Sequence, residues 1–199
     1  FFPRSSIKIF QAIPFAMSNA IKNYKLNNKH IALACASHKG EKFHIKELKK
    51  WISKINLKTK NLQCGIHAPL DKNASEKIIY SRKKFNELHN NCAGKHLGML
   101  TSCLANNQSI TNYLDYNHTH QKKIRKIFNK FTETKLSKKN FSLDGCSAPQ
   151  YSFKIKNISK ALNNLIKSYK NNYHYTEQVR TLVDSILENP EFIGGTASF

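Results

Sequence analysis

No apolar stretch in the chain approaches the roughly 20 residues that cross a bilayer as a helix, and nothing resembles the apolar core of a secretory leader. A helical membrane span is therefore not expected. Gly (7) and Pro (5) are too sparse for a collagen-like chain or a linker, and the 40% hydrophobic content argues against disorder. The five cysteines, Cys35, Cys64, Cys92, Cys103 and Cys146, are odd in number, contain no CxxC pair and lack the density of a disulfide scaffold. They read as reduced thiols, which with the missing export signal points to the cytoplasm. The 199 residues are enough for one domain with a sizeable core.

Acidic residues are also scarce: 12 against 33 basic ones, a formal charge of +21. A surplus of that size raises the possibility of a nucleic-acid or membrane-surface partner. Its distribution argues otherwise. The lysines are scattered over every segment of helical character, arginine is scarce, and no stretch alternates basic with aromatic residues as a base-stacking platform requires. A Lys-rich solvated surface is the simpler reading, and no nucleic-acid partner is expected. There is no internal repeat, low-complexity linker or clear domain boundary.

Apolar periodicity places the helices. Residues 5–24 read as helical, with Ser5 or Ser6 as N-cap and Pro14 interrupting before Phe15. Residues 31–37 form a short apolar run that suits a buried strand and a buried helical turn equally well. Ile45, Leu48, Trp51, Ile52 and Ile55 fall at helical spacing, as do Ile124, Ile127, Phe128 and Phe131. Two more helices are marked by Ile158, Leu162, Leu165, Ile166 and Tyr169, and by Val179, Leu182, Val183 and Ile186, the last ending before Pro190. Between them lie three irregular stretches, 61–69, 90–94 and 143–149, each with a Cys, a Gly and small polar residues. Those loops are where chemistry is expected.

Four constellations carry reactive groups. Ser5-Ser6-Ile7-Lys8 is an S-x-x-K pattern at a helix start, preceded by Arg4. One turn separates hydroxyl from amine, and a desolvated Lys of lowered pKa can take a Ser proton. The bland alternative is a capping Ser and a solvent-facing Lys. Ala36-Ser37-His38-Lys39-Gly40-Glu41 delivers Ser, His and Glu from an apolar run to a Gly turn; alternatively Ser37 caps the next helix while His38 and Glu41 sit in water. Asn90-Asn91-Cys92-Ala93-Gly94-Lys95-His96 puts Cys92 near a helix N-terminus, where a thiolate is favoured. Asp144-Gly145-Cys146-Ser147-Ala148-Pro149 presents Cys146 beside a carboxylate. Cys92 and Cys146 together suit zinc, with His96, Asp144 or a neutral Lys95 completing the shell; two distant cysteines can equally be buried small residues.

Taken in this order, the segments resemble the rhizobial-type L-asparaginase family, which is distinct from the bacterial enzymes that use threonine nucleophiles. The matching text is Phe2-Pro3-Arg4-Ser5-Ser6-Ile7-Lys8, Phe10-Gln11-Ala12, Ala34 to Glu41, His89 to Met99 and Asp144 to Pro149, with weaker agreement at Cys64-Gly65 and Pro190 to Gly195. The resemblance implies an α+β fold like that of serine beta-lactamases and glutaminases, an antiparallel sheet packed with helices, of which this chain supplies mainly the helical part. It implies hydrolysis of L-asparagine, Ser5 and Lys8 as one Ser-Lys tandem, and Ser37 in a second tandem whose Lys lies beyond Phe199. Implied zinc ligands are Cys92, Lys95 and Cys146, with Arg4, His96 and Asp144 at the substrate, and a homodimer is expected on the same basis. Departures are Ile9 and Thr119 where Pro is usual, and Asn189 where His is common; none touches the Ser, Lys or Cys positions. The opening Phe1-Phe2-Pro3 and the closing Ser198-Phe199 suggest a single domain, 1–199, truncated at both ends, so the chain alone is expected to have little activity. Rival readings are a beta-lactamase-like serine hydrolase or glutaminase on the same S-x-x-K helix and, from another class, a basic nucleic-acid-binding module.

Overall fold

Helix builds most of the molecule, and the computed structural model describes residues 1–196. In chain order the helices are α1 (Lys8–Met17), α2 (Ala20–Asn23), α3 (Asn28–Cys35), α4 (Lys42–Lys54), α5 (Lys72–Tyr80), α6 (Ala93–Ala105), α7 (Thr119–Thr132), α8 (Ile155–Lys170), α9 (Thr176–Glu188) and α10 (Glu191–Gly194). A two-stranded antiparallel sheet pairs β1 (Phe141–Leu143) with β2 (Pro149–Tyr151), in the register Phe141 to Tyr151, Ser142 to Gln150 and Leu143 to Pro149. A mostly helical chain with one small sheet is compatible with the α+β class. Ser198 and Phe199, read above as a cut end, lie outside the described residues. Among the described residues no helix is long and apolar enough to cross a membrane.

The apolar stripes of α4 and α7 face the core as their spacing predicts: Leu48, Trp51 and Ile52, then Ile124, Ile127, Phe128 and Phe131, are all buried. On α8 the outcome is mixed. Ile158, Leu165 and Tyr169 pack against the core, whereas Leu162 and Ile166 are about half exposed, because α8 lies on the outside and buries Ala161, Asn164 and Ser168. Helix α9 stops at Glu188, before Pro190 as expected.

Residues 31–35 are helical. Asn27 starts α3 with a capping box in which its side chain accepts from the His30 amide at 3.2 Å and the His30 ring accepts from the Asn27 amide at 3.1 Å. The run from Ile31 to Ala36 is buried on every side, since α3 packs against α1, α4, α6 and α9. A helix surrounded in this way has no polar face, so its sequence shows no helical period.

The opening segment differs from its sequence reading. Arg4–Ile7 is a turn of 3-10 helix, Ile7 rather than Ser5 or Ser6 holds the N-cap position of α1, and Pro14 lies inside α1 without ending it. Burial overrides the local preference here: Phe10, Ile13 and Phe15 are no more than 1% exposed, and α1 packs against α3, α6, α7 and α9. The break comes at Ser18, whose hydroxyl donates to the Phe15 carbonyl. Around α1 the core is knitted by aromatic contacts, Phe10 with Phe131 at 5.1 Å and Phe15 with Trp51 at 5.6 Å. The Trp51 indole N–H donates to Thr101 Oγ1 at 3.0 Å.

Several histidines are buried in this core as neutral rings. Both ring nitrogens of His120 lack a hydrogen-bond partner, and burial, reinforced by His118 and Lys123, pushes its pKa down to about 3. Burial holds His30 down to about 4; its Nε2 is 3.8 Å from Glu47, too far to offset that desolvation. Below the ordinary histidine pKa of roughly 6.5 the unfolded chain therefore binds protons that the folded chain refuses. The stability from these rings is complete above that pH and is lost as pH falls towards 4 and then 3. The midpoint of urea unfolding is expected to hold steady at neutral pH and drop by an amount worth a few kcal/mol on acidification, and His120→Leu is expected to flatten that slope.

Candidate active site

Three chain segments meet at the N-terminus of α1. The first is α1 itself, which opens with Lys8, a lysine only 1% exposed. The second is the end of α3, where Ala36 turns extended and carries Ser37 out of the helix. Lys8 Nζ donates to the Ala36 carbonyl and to Ser37 Oγ, both at 2.6 Å. Ser37 Oγ in turn donates to Ser5 Oγ at 2.8 Å, so Ser5 communicates with Lys8 through Ser37. The S-x-x-K spacing suggests that Lys8 reaches Ser5 directly; its hydrogen bonds go instead to Ala36 and Ser37, and Ser5 is bonded to Ser37. The further lysine expected beyond Phe199 lies outside the described residues.

The third segment is the N-terminus of α6. Cys92 holds its N-cap position, its amide donating to Asn90 Oδ1 at 2.9 Å, and Lys95 and His96 follow within the first turn, 2% and 0% exposed. Against them folds the turn between β1 and β2, closed by the Asp144 amide on the Ala148 carbonyl at 2.9 Å and the Ser147 amide on the Asp144 carbonyl at 2.8 Å. This turn carries Cys146 and Asp144 into the cluster. Lys95 Nζ lies 3.1 Å from Cys146 Sγ, Asp144 Oδ2 lies 3.6 Å from the same sulfur, and Arg4 reaches Asp144 with an ion pair of 2.9 Å. Arg4 adopts a left-handed backbone (φ 48°), a conformation costly for a side chain of its size. The nine residues that the family resemblance assigns to catalysis, substrate or metal, Arg4, Ser5, Lys8, Ser37, Cys92, Lys95, His96, Asp144 and Cys146, therefore fall in one connected constellation.

Burial without a carboxylate partner lowers the pKa of Lys8, only partly opposed by the nearby Cys92 and Cys146 sulfurs. A lowered pKa makes the neutral amine, the form able to accept a proton, accessible nearer neutrality. Lys95 goes the other way: burial opposes its charge, but the Cys92 and Cys146 sulfurs outweigh it and raise its pKa. The two thiols are hydrogen-bonded to each other and shift in opposite directions. The hydrogen bond from Cys146 holds the Cys92 thiol below its usual range, while that same bond and burial hold Cys146 above it.

This donor set suits a metal. Cys92 Sγ, Cys146 Sγ and an Asp144 oxygen all lie within 4.8 Å of one another, with the Lys95 amine against one sulfur. Two thiolates with nitrogen or oxygen donors match the ligand chemistry of zinc.

Other groups that complete the site carried little signal in the sequence. His38, for which solvent was the simpler reading, is completely buried; its Nδ1 accepts from the Gly40 amide at 3.1 Å, and its ring stacks on His44 at 5.3 Å. Glu41 is the N-cap residue of α4, not Ser37. Gly40 (φ 77°) leaves no room for a side chain, since a Cβ there would stand 2.9 Å from Pro69 Cβ. Gly94 has the same role in a helix: a Cβ would stand 2.1 Å from the Leu33 carbonyl oxygen, so only glycine lets α6 press its first turn against α3. A hollow of about 530 Å³ lined by Glu41, Phe43, Asp71, Lys77 and Thr196 contains none of the Ser, Lys and Cys side chains of the site.

In comparisons with known proteins, the family model described as L-asparaginase II matches residues 1–199. No curated protein matches the chain.

Gly94→Ala is expected to destabilise the protein by about 3 kcal/mol or more, because the obstacle is backbone and has no rotamer to move. Urea unfolding checks this; an unchanged midpoint would show that α3 and α6 separate freely.

Proposed function

The chain belongs to the L-asparaginase II family, and from that premise we propose that it hydrolyses the side-chain amide of L-asparagine to aspartate and ammonia, with Ser5 as nucleophile. The family implies an amidohydrolase acting on a small molecule. The observation that carries the finer reading is the hydrogen-bonded line from Lys8 through Ser37 to Ser5, with a lysine whose pKa is lowered at its inner end.

In this mechanism the two hydroxyls turn once Lys8 is the neutral amine, so that Ser5 donates to Ser37 and Ser37 to Lys8; Ser5 Oγ then passes its proton to Ser37 as Ser37 passes its own to Lys8, and the Ser5 oxygen attacks the amide carbon. The C–N bond then breaks, the departing nitrogen takes the proton back along the same line, and ammonia leaves an aspartyl ester on Ser5. Water adds to that ester under the same base and frees aspartate. The second lysine implied by the family resemblance would assist Ser37 at the protonation step. Arg4, Asp144 and His96 line the side facing the thiols and are assigned to the substrate's α-amino and α-carboxyl groups. Cys92, Cys146 and Lys95 would hold zinc, which when bound supplies fixed positive charge to orient those groups; Lys95 must give up its proton to serve as a ligand.

The beta-lactamase-like fold belongs to the same proposal, as do a homodimer and a cytoplasmic setting, the last supported by the five free cysteines.

Ammonia release from asparagine and from glutamine by the full-length protein tests the reading. Asparagine is expected to be turned over, Ser5→Ala to lower kcat by roughly a thousandfold or more, and a zinc chelator to weaken asparagine binding. With Lys8 as base, kcat/KM is expected to fall on acidification as Lys8 is protonated, along a limb displaced to lower pH than an ordinary lysine. Normal turnover in Ser5→Ala would overturn the nucleophile, and no release from either amide would overturn the activity.

A further inference from the structure

Behind His96 stands a residue with no part in the mechanism above. Tyr113 is completely buried, and its hydroxyl meets two groups: the Gln63 amide N–H at 2.9 Å and His96 Nδ1 at 2.6 Å. The Gln63 amide can only donate, so at that contact the phenol oxygen accepts. The phenol proton then needs an acceptor. Burial raises the Tyr113 pKa, so that proton stays on the oxygen, and the imidazole nitrogen 2.6 Å away is in place to receive it. His96 Nδ1 is therefore the bare nitrogen, and the ring hydrogen of a neutral imidazole must sit on Nε2.

His96 Nε2 is buried, has no hydrogen-bond partner of ordinary geometry, and lies beside Cys146. An unsatisfied buried donor pointing into a reactive cluster is costly unless something there accepts from it. The two rings also meet edge-on, with centroids 5.7 Å apart at 87°.

We propose that Tyr113 is a positioning residue that locks His96 in its Nε2–H tautomer, so that His96 presents the site with a fixed hydrogen-bond donor, and not with a lone pair that could ligate a metal. Gln63 is the backbone anchor of this device, since without its amide the phenol could turn and accept from the ring. The donor faces the sulfur of Cys146 and any carboxylate bound next to it. The assignment of the tautomer stands on the hydrogen bonds alone; only its effect on substrate rests on the reading of the protein as an asparaginase.

The test is a ¹⁵N-edited spectrum of the imidazole nitrogens in the uniformly labelled full-length protein, with His96 assigned by the signals lost in His96→Asn. The expected result is a protonated Nε2 and an unprotonated, hydrogen-bonded Nδ1. Tyr113→Phe is expected to shift the Nδ1 resonance, bring in the other tautomer, and lower kcat/KM for asparagine roughly tenfold, mainly through KM. A proton on Nδ1 in the unsubstituted protein would overturn the proposal, as would a Tyr113→Phe spectrum in which His96 is unchanged. If Tyr113→Phe does not fold, the spectrum of the unsubstituted protein decides by itself. A protein that shows the Nε2–H tautomer yet releases no ammonia would support the lock and overturn the asparaginase reading.

Discussion

The structure depends on how closely the N-terminus of α6 approaches the C-terminal half of α3. At Gly94 the two backbones touch with no side chain between them, a Cβ there standing 2.1 Å from the Leu33 carbonyl oxygen. That contact brings the end of α3, with Ser37, to the same place as the start of α6, with Cys92, Lys95 and His96. The α1 helix packs against both and fills the remaining side with Lys8. Each element is held by ordinary hydrophobic burial, but the reactive side chains meet because one glycine removes the spacing that any other residue would impose.

Two buried lysines show how position decides chemistry. Lys8 and Lys95 are each no more than 2% exposed, and burial opposes the charge on both. Lys95 lies against the thiols and is driven towards the ammonium form, while at Lys8 burial prevails and drives it towards the amine. The same residue type is thus pushed towards the neutral amine in one place and towards the ammonium in the other. The thiols contribute to this division: they raise the pKa of both lysines, but only at Lys95 do they outweigh burial.

Much of this arrangement could be read from the chain. The S-x-x-K spacing, the Ala34 to Glu41 segment, the Cys-containing α6 start and the Asp144 to Pro149 turn all contribute to one cluster, because residue types with reactive side chains are rare in apolar surroundings and stand out there. The amphipathic helices α4, α7 and α9 were equally legible, since each has one wet face and one dry face and so carries a period. Helix α3 was ambiguous for the opposite reason: it is dry all round, and composition without periodicity does not distinguish a buried helix from a buried strand. Pro14 misled because local preference marks a helix end, whereas α1 is central enough for packing to carry the helix through it.

By itself, then, the sequence determined which side chains are available for chemistry, which segments are amphipathic helices, and that the thiols lack the pattern of a disulfide framework. Only the tertiary structure decided that Lys8 bonds to Ser37 and reaches Ser5 through it, that His38 is buried and not in water, that Gly40 and Gly94 are points of contact, and that Tyr113 stands behind His96. The reason is physical. Chemical type and local period are properties of neighbours along the chain, but hydrogen-bond partners such as Lys8 and Ser37, 29 residues apart, or Gln63 and Tyr113, 50 apart, are set by how closely packed backbones approach, and no local pattern records that distance.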